Sequence, residues 1–460
     1  MTAHTDQRSV KLAFAAIVAA MLPAVLDQTI LATALPTIAA DLGRMTDLSW
    51  VVTAYVVAAT ASTPLWGKLG DRHGRKRLLE IALATFVSAS ALCGIAQTMT
   101  ELIIVRGVQG VAAGGLMTLA MATVGDLVAP RERGRYQGYI AATFAAATVL
   151  GPLVGGLLVQ GPGWRWVFYV NLPVGLAALL GLRLHLPAPA TDRPSRPLDV
   201  SGAALLAAAT SAFMLVCVWG GDRYAWDSPV IVALIGATVV LGAALFARER
   251  RAADPIVPLA LLRTRSVAVA SGALFLGTAS LFAVTVFVPL FLQTATGATP
   301  TEAGLLLAPM MLATTASTMV SGRLIERTGR YKRFPIIGLG LMATALVVLA
   351  AVAGDPSRMT TGLGLAVFGA GFGMVTQVLV VAVQNSVDRR ELGVATAATG
   401  FFRALGGALG AATLGAVFAA HADAGVADAV QTVFIVAAPL AALALLAVLR
   451  LPELPLKTRT

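Results

Sequence analysis

The sequence predicts an all-α integral membrane protein of fourteen transmembrane helices. Two six-helix repeats, spans 1–6 and 9–14, enclose two inserted helices, 7 and 8, with both termini in the cytoplasm. Three observations predict this architecture: the length and number of the apolar runs, a one-sided distribution of lysine and arginine, and a motif that recurs 255 residues further along the chain.

Of the 460 residues, 57% are hydrophobic and 12% charged, with a mean hydropathy of +0.82. A soluble domain carries about 25% charged residues, so this chain has too few to cover a water-facing surface. That excludes a soluble enzyme and a disordered chain, and it excludes a nucleic-acid binder despite the net charge of +11. A membrane-crossing helix needs about 20 mostly apolar residues. Fourteen such spans can be placed, the first six at 12–35, 48–67, 77–98, 101–125, 136–159 and 165–184. Spans 7 and 8 cover 201–219 and 229–247. The last six cover 267–293, 303–322, 334–353, 360–383, 394–418 and 429–449. These runs are too long and continuous for the alternating pattern of barrel strands, so helices satisfy the backbone in lipid. Span 1 holds a central acid and is too long for a cleaved leader.

Lysine and arginine in short loops set orientation. One set of alternating loops, with the two termini, holds 28 of the 34 basic residues. The opposite loops hold four, Arg44, Arg165, Arg223 and Arg358, and Arg106 and Arg403 lie within spans. This asymmetry assigns both termini to the cytoplasm, supports an even helix count, and explains the +11 as topology and contact with anionic lipid.

Residues 67–77 read GKLGDRHGRKR and residues 322–332 read GRLIERTGRYK. The frames match at Gly67/Gly322, Leu69/Leu324, Asp71/Glu326, Arg72/Arg327, Gly74/Gly329 and Arg75/Arg330. A second echo pairs PRERG at 130–134 with RRELG at 389–393. Spans 1–6 therefore repeat as spans 9–14 in the same orientation. The chain divides into an N-terminal bundle (1–198), two inserted helices with linkers (199–265) and a C-terminal bundle (266–460). Parallel repeats of this kind are a transporter architecture, with the substrate path at the midplane between halves.

GKLGDRHGRKR also matches, without a gap, the loop signature G-x-L-x-D-R-x-G-R-K/R of the major facilitator superfamily, known as motif A. LDQTILATALP (26–36) resembles the span-1 signature of its fourteen-helix drug/proton antiporter branch, and RGVQGVAAGG (106–115) resembles motif B of span 4. GPLVGG (151–156) is similar to the antiporter motif C, with Ala147 where that motif usually begins with glycine, and WRWVFYVNLP (164–173) to the start of span 6. The resemblance covers essentially the whole chain. It implies a proton-coupled multidrug efflux protein of the cell membrane.

Each motif has a physical reading. In Gly67, Asp71, Arg72, Gly74 and Arg75, glycine permits a tight turn and close helix approach, and the carboxylate can pair with an arginine and face a helix N-terminus of the opposite half. The resemblance implies a latch on the cytoplasmic side, with Gly322, Glu326, Arg327, Gly329 and Arg330 as its second-half copy. Asp27 lies roughly 22 Å along its helix from the cytoplasm, and Arg106 roughly 8 Å in from outside, so the two reach compatible depths. A charge inside the bilayer is costly and faces the protein interior. Burial favours the neutral carboxyl and a nearby arginine the carboxylate, so a pair of changing separation loads and releases a proton; a static structural pair is the alternative. Gly151, Pro152, Gly155 and Gly156 interrupt span 5, as a hinge or seal by the resemblance, or as a kinked packing segment.

Arg403 lies roughly 14 Å into span 13, with backbone carbonyls, water or an acidic substrate as partners, or in a packing role. Glu302 and Asp423 stand at outer helix ends. With Arg403, the polar residues Gln28, Thr29, Gln109, Asn171 and Gln377 are candidates for a mainly apolar cavity, which favours lipophilic compounds. Cys93 and Cys217 sit in apolar runs and read as packing residues, and the four scattered histidines give no metal spacing. The expectation is a monomeric, proton-driven antiporter exporting lipophilic drugs or related small molecules across the cytoplasmic membrane, with no catalytic residues, metal or cofactor and no nucleic-acid partner. A dedicated exporter of one metabolite, antibiotic or lipid is the alternative, and a nutrient importer a further one.

Overall fold

The computed structural model describes residues 7–43, 48–187, 198–296, 307–353 and 358–456. The first half comprises α1 (Gln7–Leu42), α2 (Leu48–His73), α3 (Arg75–Ile95), α4 (Met99–Leu127), α5 (Arg133–Gln160), α6 (Trp166–Tyr169) and α7 (Asn171–His185). The inserted hairpin is α8 (Val200–Trp219) and α9 (Pro229–Glu249), followed by the short α10 (Leu259–Arg263). The second half comprises α11 (Arg265–Thr296), α12 (Ala308–Thr328), α13 (Arg333–Val352), α14 (Arg358–Ser386), α15 (Leu392–His421) and α16 (Val426–Leu449). With α6 and α7 forming one crossing, these give fourteen spans.

Thirteen of the crossings are plainly apolar enough to span a bilayer. The remaining one, α12, is rich in serine and threonine. Its hydroxyls are satisfied internally: Thr314 and Thr318 donate both to carbonyls of their own helix and to Gly369 and Gly373 of α14. A polar helix is tolerable in lipid when its neighbours bond these groups.

Helix starts follow local chemistry. Thr98 caps α4 by accepting from the Glu101 amide, while the Glu101 carboxylate accepts from Gln97 N–H, a reciprocal arrangement typical of a T-x-x-E start. Ser228 caps α9 with Pro229 at its first position. Span 6 carries a break in its bonding at Val170, three residues before Pro173, which has no N–H to donate. Pro152, by contrast, lies inside α5, which runs from Arg133 to Gln160.

The internal repeat is realised in the packing. Within the first half α2 and α3 pack on α4, and α1 packs on α5 and α7. Within the second half α12 and α13 pack on α14, and α11 packs on α15 and α16. Buried apolar residues form one cluster spanning Leu261 to Leu451 and two drawn from Ala13 to Leu186. The halves meet where α2 crosses α15 and where α5 crosses α12, two contacts exchanged by the repeat. The hairpin helix α8 lies against both α2 and α15, while α9 packs on α8 and turns Val239 and Val240 outward.

Candidate transport path and charge sites

The first site is a charged network inside the first half. Arg106 on α4 is 1% exposed and Asp27 on α1 is 2% exposed. Arg106 Nη1 donates to Asp27 Oδ2 at 2.5 Å and to Gln109 Oε1 at 2.7 Å, and its Nε donates to the Val51 carbonyl at 3.2 Å. Asp27 Oδ1 accepts from Gln109 Nε2 at 3.0 Å and from Asn171 Nδ2 at 3.2 Å. Both amides also donate to Ser90 Oγ, which donates to the Phe168 carbonyl. The Tyr55 ring covers the guanidinium at 4.3 Å. Five helices thus converge on one ion pair. Removing one partner of such a buried pair typically costs about 3–5 kcal/mol, because the other charge is left stranded.

The second site is a cavity of about 280 Å³ between the halves. Met21 and Gln28 of α1, Tyr55 and Thr63 of α2, Met117 of α4 and Phe144 of α5 line one side, and Gln377 of α14 with Thr399 and Arg403 of α15 the other. Tyr55 belongs to both sites: its ring covers the Arg106 guanidinium, and the residue is part of the cavity lining.

Three of the six cavity candidates stand at this cavity. Gln28, Gln377 and Arg403 line the cavity. Gln109 and Asn171 do not, because their amides are consumed by Asp27 and Ser90. Thr29 is turned toward α5, where a side chain on Gly151 would collide with it. On the same interface, a Cβ at Gly155 would stand 2.9 Å from the Ile30 carbonyl oxygen, whereas Gly156 has open space around it, and Pro152 is exposed.

The third site closes the end of the bundle that carries the basic loops. Asp71, at the end of α2, accepts from the amides of Gly393 and Val394 at 2.9 Å each, so it caps the N-terminus of α15. Arg75 pairs with Asp71 at 2.5 Å and with Asp126 of α4, and donates to the Arg389 carbonyl. Beside them, Gly67 lies under α15, where a Cβ would stand 2.7 Å from the Gly393 carbonyl oxygen. Lys68 pairs with Asp254 in the linker that follows the inserted hairpin. Gly74 and Gly329, the second glycines of the repeated motif, adopt φ of 89° and 71°, which side-chain-bearing residues rarely take.

The second copy has different geometry. Gly322 lies against Gly134 so closely that a Cβ on Gly134 would stand 2.8 Å from Gly322 Cα. Glu326, however, caps no helix; it pairs with Arg135 at 3.0 Å near the surface. Arg327 and Arg330 are exposed, unlike Arg75. Arg72 is partly buried with its Nε and Nη1 unbonded. The electrostatic contact at this crossing comes instead from Arg131, which donates to the carbonyls of Glu326 and Arg327 at 2.6 and 2.9 Å, a cation on the C-terminus of α12.

Sequence reasoning missed Arg131, Asp126, Tyr55 and Ser90. The PRERG loop, an echo of RRELG in the internal repeat, holds a signal for Arg131; nothing in the sequence distinguishes Tyr55 or Ser90 from other span residues. Arg44 and Glu302 lie outside the described residues, and Asp423 is exposed at the end of α15.

Fourteen crossings with a repeated six-helix unit, a cavity between the halves and a closed end are the architecture of membrane transporters. The chain belongs to the Major Facilitator Superfamily, whose family model matches residues 17–411. An uncharacterised MFS-type transporter of Mycobacterium tuberculosis, Rv1877, is 43% identical over 413 residues, covering 89% of this chain and 60% of that protein. This chain therefore spans about 60% of the length of that relative. The multidrug transporter protein MdtP of Bacillus subtilis is 35% identical over 421 residues, covering 92% of this chain and 77% of MdtP. Among solved structures, the human organic anion transporter MFSD10 superposes with a TM-score of 0.71 at 18% identity, over 95% of this chain and 99% of that one, a likeness of fold alone.

Proposed function

We propose that this chain is a proton-coupled antiporter that exports lipophilic small molecules by alternating access, working as a monomer with the basic end of the bundle in the cytoplasm. The observation that carries this reading is the placement of the Asp27–Arg106 pair behind Tyr55, one ring away from the cavity. The basic loops support the orientation, and efflux relatives such as MdtP support the direction of transport.

The network suits a protonation switch. Asp27 accepts three hydrogen bonds and donates none. A proton on either oxygen turns an acceptor into a donor and neutralises the partner of Arg106, so three donors no longer fit around it. Asn171 Oδ1, buried without a partner, supplies an acceptor for the protonated carboxyl once its amide turns over. Arg106 then keeps Gln109, the Val51 carbonyl and the Tyr55 face. The shift passes through Tyr55 and the neighbouring Gln28 to the cavity wall. The moving bodies are the bundles 1–198 and 266–460, joined by 199–265. Their cytoplasmic latch is the capped α15 terminus, with Gly67, Asp71, Arg72, Gly74 and Arg75 on one side and Gly322, Glu326, Arg327, Gly329 and Arg330 at the related crossing. Gly151 and Gly155 hold α5 on α1 across the opposite half of the membrane.

The test is efflux from proteoliposomes under an imposed pH gradient, with a drug-susceptibility panel in a pump-deficient host, for wild type, Asp27→Asn and Asp71→Asn. Asp27→Asn is expected to bind compounds but lose gradient-driven movement. Gradient-driven efflux at the wild-type rate in Asp27→Asn would overturn the coupling role.

A further inference from the structure

We infer that Arg403 is the anchor for an anionic group on the transported molecule, and that the cavity takes an organic acid with a single negative charge on an apolar body. This deepens the exporter reading and rests on it.

Among the residues lining the cavity, Arg403 is the single charged one. It sits in the middle of a thirty-residue helix yet is exposed, because its side chain faces the open space between the halves. Its guanidinium makes no hydrogen bond or ion pair among the described residues, in contrast to Arg106, which has two side-chain partners, a carbonyl and an aromatic face. Gly406 and Gly410 press directly on the backbone of Phe275 and Ala279 in α11, so the rotation of α15 is locked and Arg403 is held in place. A guanidinium at membrane depth without a counter-charge is costly, and a carboxylate or sulfonate meets its planar donor fork with two parallel bonds.

The rest of the lining sets the remaining chemistry. Met21, Met117, Phe144 and Leu274 offer flexible and aromatic apolar surface, while Gln377 Oε1 has no partner and can accept from a neutral donor on the ligand. Asp27 is not part of the lining and is already bonded to Arg106, Gln109 and Asn171. A lipophilic cation would therefore meet an unscreened like charge and no carboxylate.

Three probes of one apolar body test this on the purified full chain: 1-naphthaleneacetate, its neutral amide, and 1-naphthylethylammonium. Wild type is expected to bind the carboxylate about tenfold more tightly than the amide, and the ammonium most weakly. Arg403→Gln is expected to bring carboxylate affinity down to that of the amide, and measurable amide binding by the variant reports that the cavity is folded. Arg403→Lys should retain part of it, since charge persists but the fork is lost. Equal binding of carboxylate and amide by wild type, a preference that survives Arg403→Gln, tighter binding of the ammonium, or no binding of any probe would each overturn the assignment. Gradient-driven efflux is measured separately. Arg403-dependent carboxylate binding with no pH-driven movement would count against the exporter reading and leave the anion site standing; efflux indifferent to Arg403 and to ligand charge would do the reverse.

Discussion

The backbone amide of Gly393 donates to Asp71 Oδ1 at 2.9 Å across 322 residues of chain. An acid at the end of a first-half helix thereby caps a second-half helix, where a negative charge is favoured. At the crossing related by the repeat, the polarity reverses: Arg131 of the first half bonds the terminal carbonyls of α12. The first half thus neutralises two helix ends of the second, once with an anion and once with a cation, and both contacts sit beside a glycine–glycine crossing.

Removing either contact should loosen the closed end. Replacing a capping side chain costs about 0.5–2 kcal/mol, so Asp71→Ala should shift the closed-to-open ratio by about two- to thirtyfold. Spin labels at the basic ends of α2 and α15 would report it as a longer distance population. Arg131→Ala should do the same between α5 and α12, and an unchanged distribution in both variants would separate these contacts from closure.

The glycines of span 5 should differ in tolerance. Gly155→Ala places a methyl against the Ile30 carbonyl, whereas Gly156→Ala meets open space. The first should lower the thermal stability of the detergent-solubilised protein and the second leave it within about 0.5 kcal/mol. Equal effects would mean that the α1–α5 contact is not the constraint.

Tyr55 should act as a partition. Its ring contributes about 0.5–2 kcal/mol to holding Arg106, and the residue also belongs to the cavity lining. Tyr55→Ala is expected to let protons leak through proteoliposomes without substrate, while Tyr55→Phe, which keeps the ring, is not. A tight Tyr55→Ala vesicle would show that the partition lies elsewhere.

The inserted hairpin carries a pH-dependent tie. The hydrogen bonds from Arg248 hold the Asp199 carboxyl down at about 2, where it also caps α8 through the Gly202 amide at 3.0 Å. Because the folded value lies below the ordinary carboxylate value of about 4, this tie is fully present above that value and is lost as pH falls toward about 2. Hydrogen exchange at Gly202 should be faster in Asp199→Ala than in wild type at pH 5, with the ratio shrinking as pH falls through about 2. A constant ratio would remove Asp199 from the linkage.

Much of this was written in the chain. Apolar run length, basic-loop asymmetry and the 255-residue repeat dictate fourteen helices, their alternation and their duplication, because each depends only on hydropathy, charge or local spacing. Depth arithmetic likewise placed Asp27 and Arg106 at one level, since helix rise is fixed.

What each side chain faces was decided only by the tertiary structure. Gln28 and Thr29 are adjacent, yet one lines the cavity and the other packs on Gly151, a distinction set by the rotation of α1 against its neighbours. Gln109 and Asn171 look in sequence like cavity polar groups and prove to be bonded to Asp27. The two loop copies share six matched positions, yet Asp71 reaches the α15 terminus while Glu326, one methylene longer, pairs with Arg135 instead. Local pattern determines where a helix begins and how deep a residue lies; partnership depends on which helices meet and at what rotation, which is a property of the packed bundle.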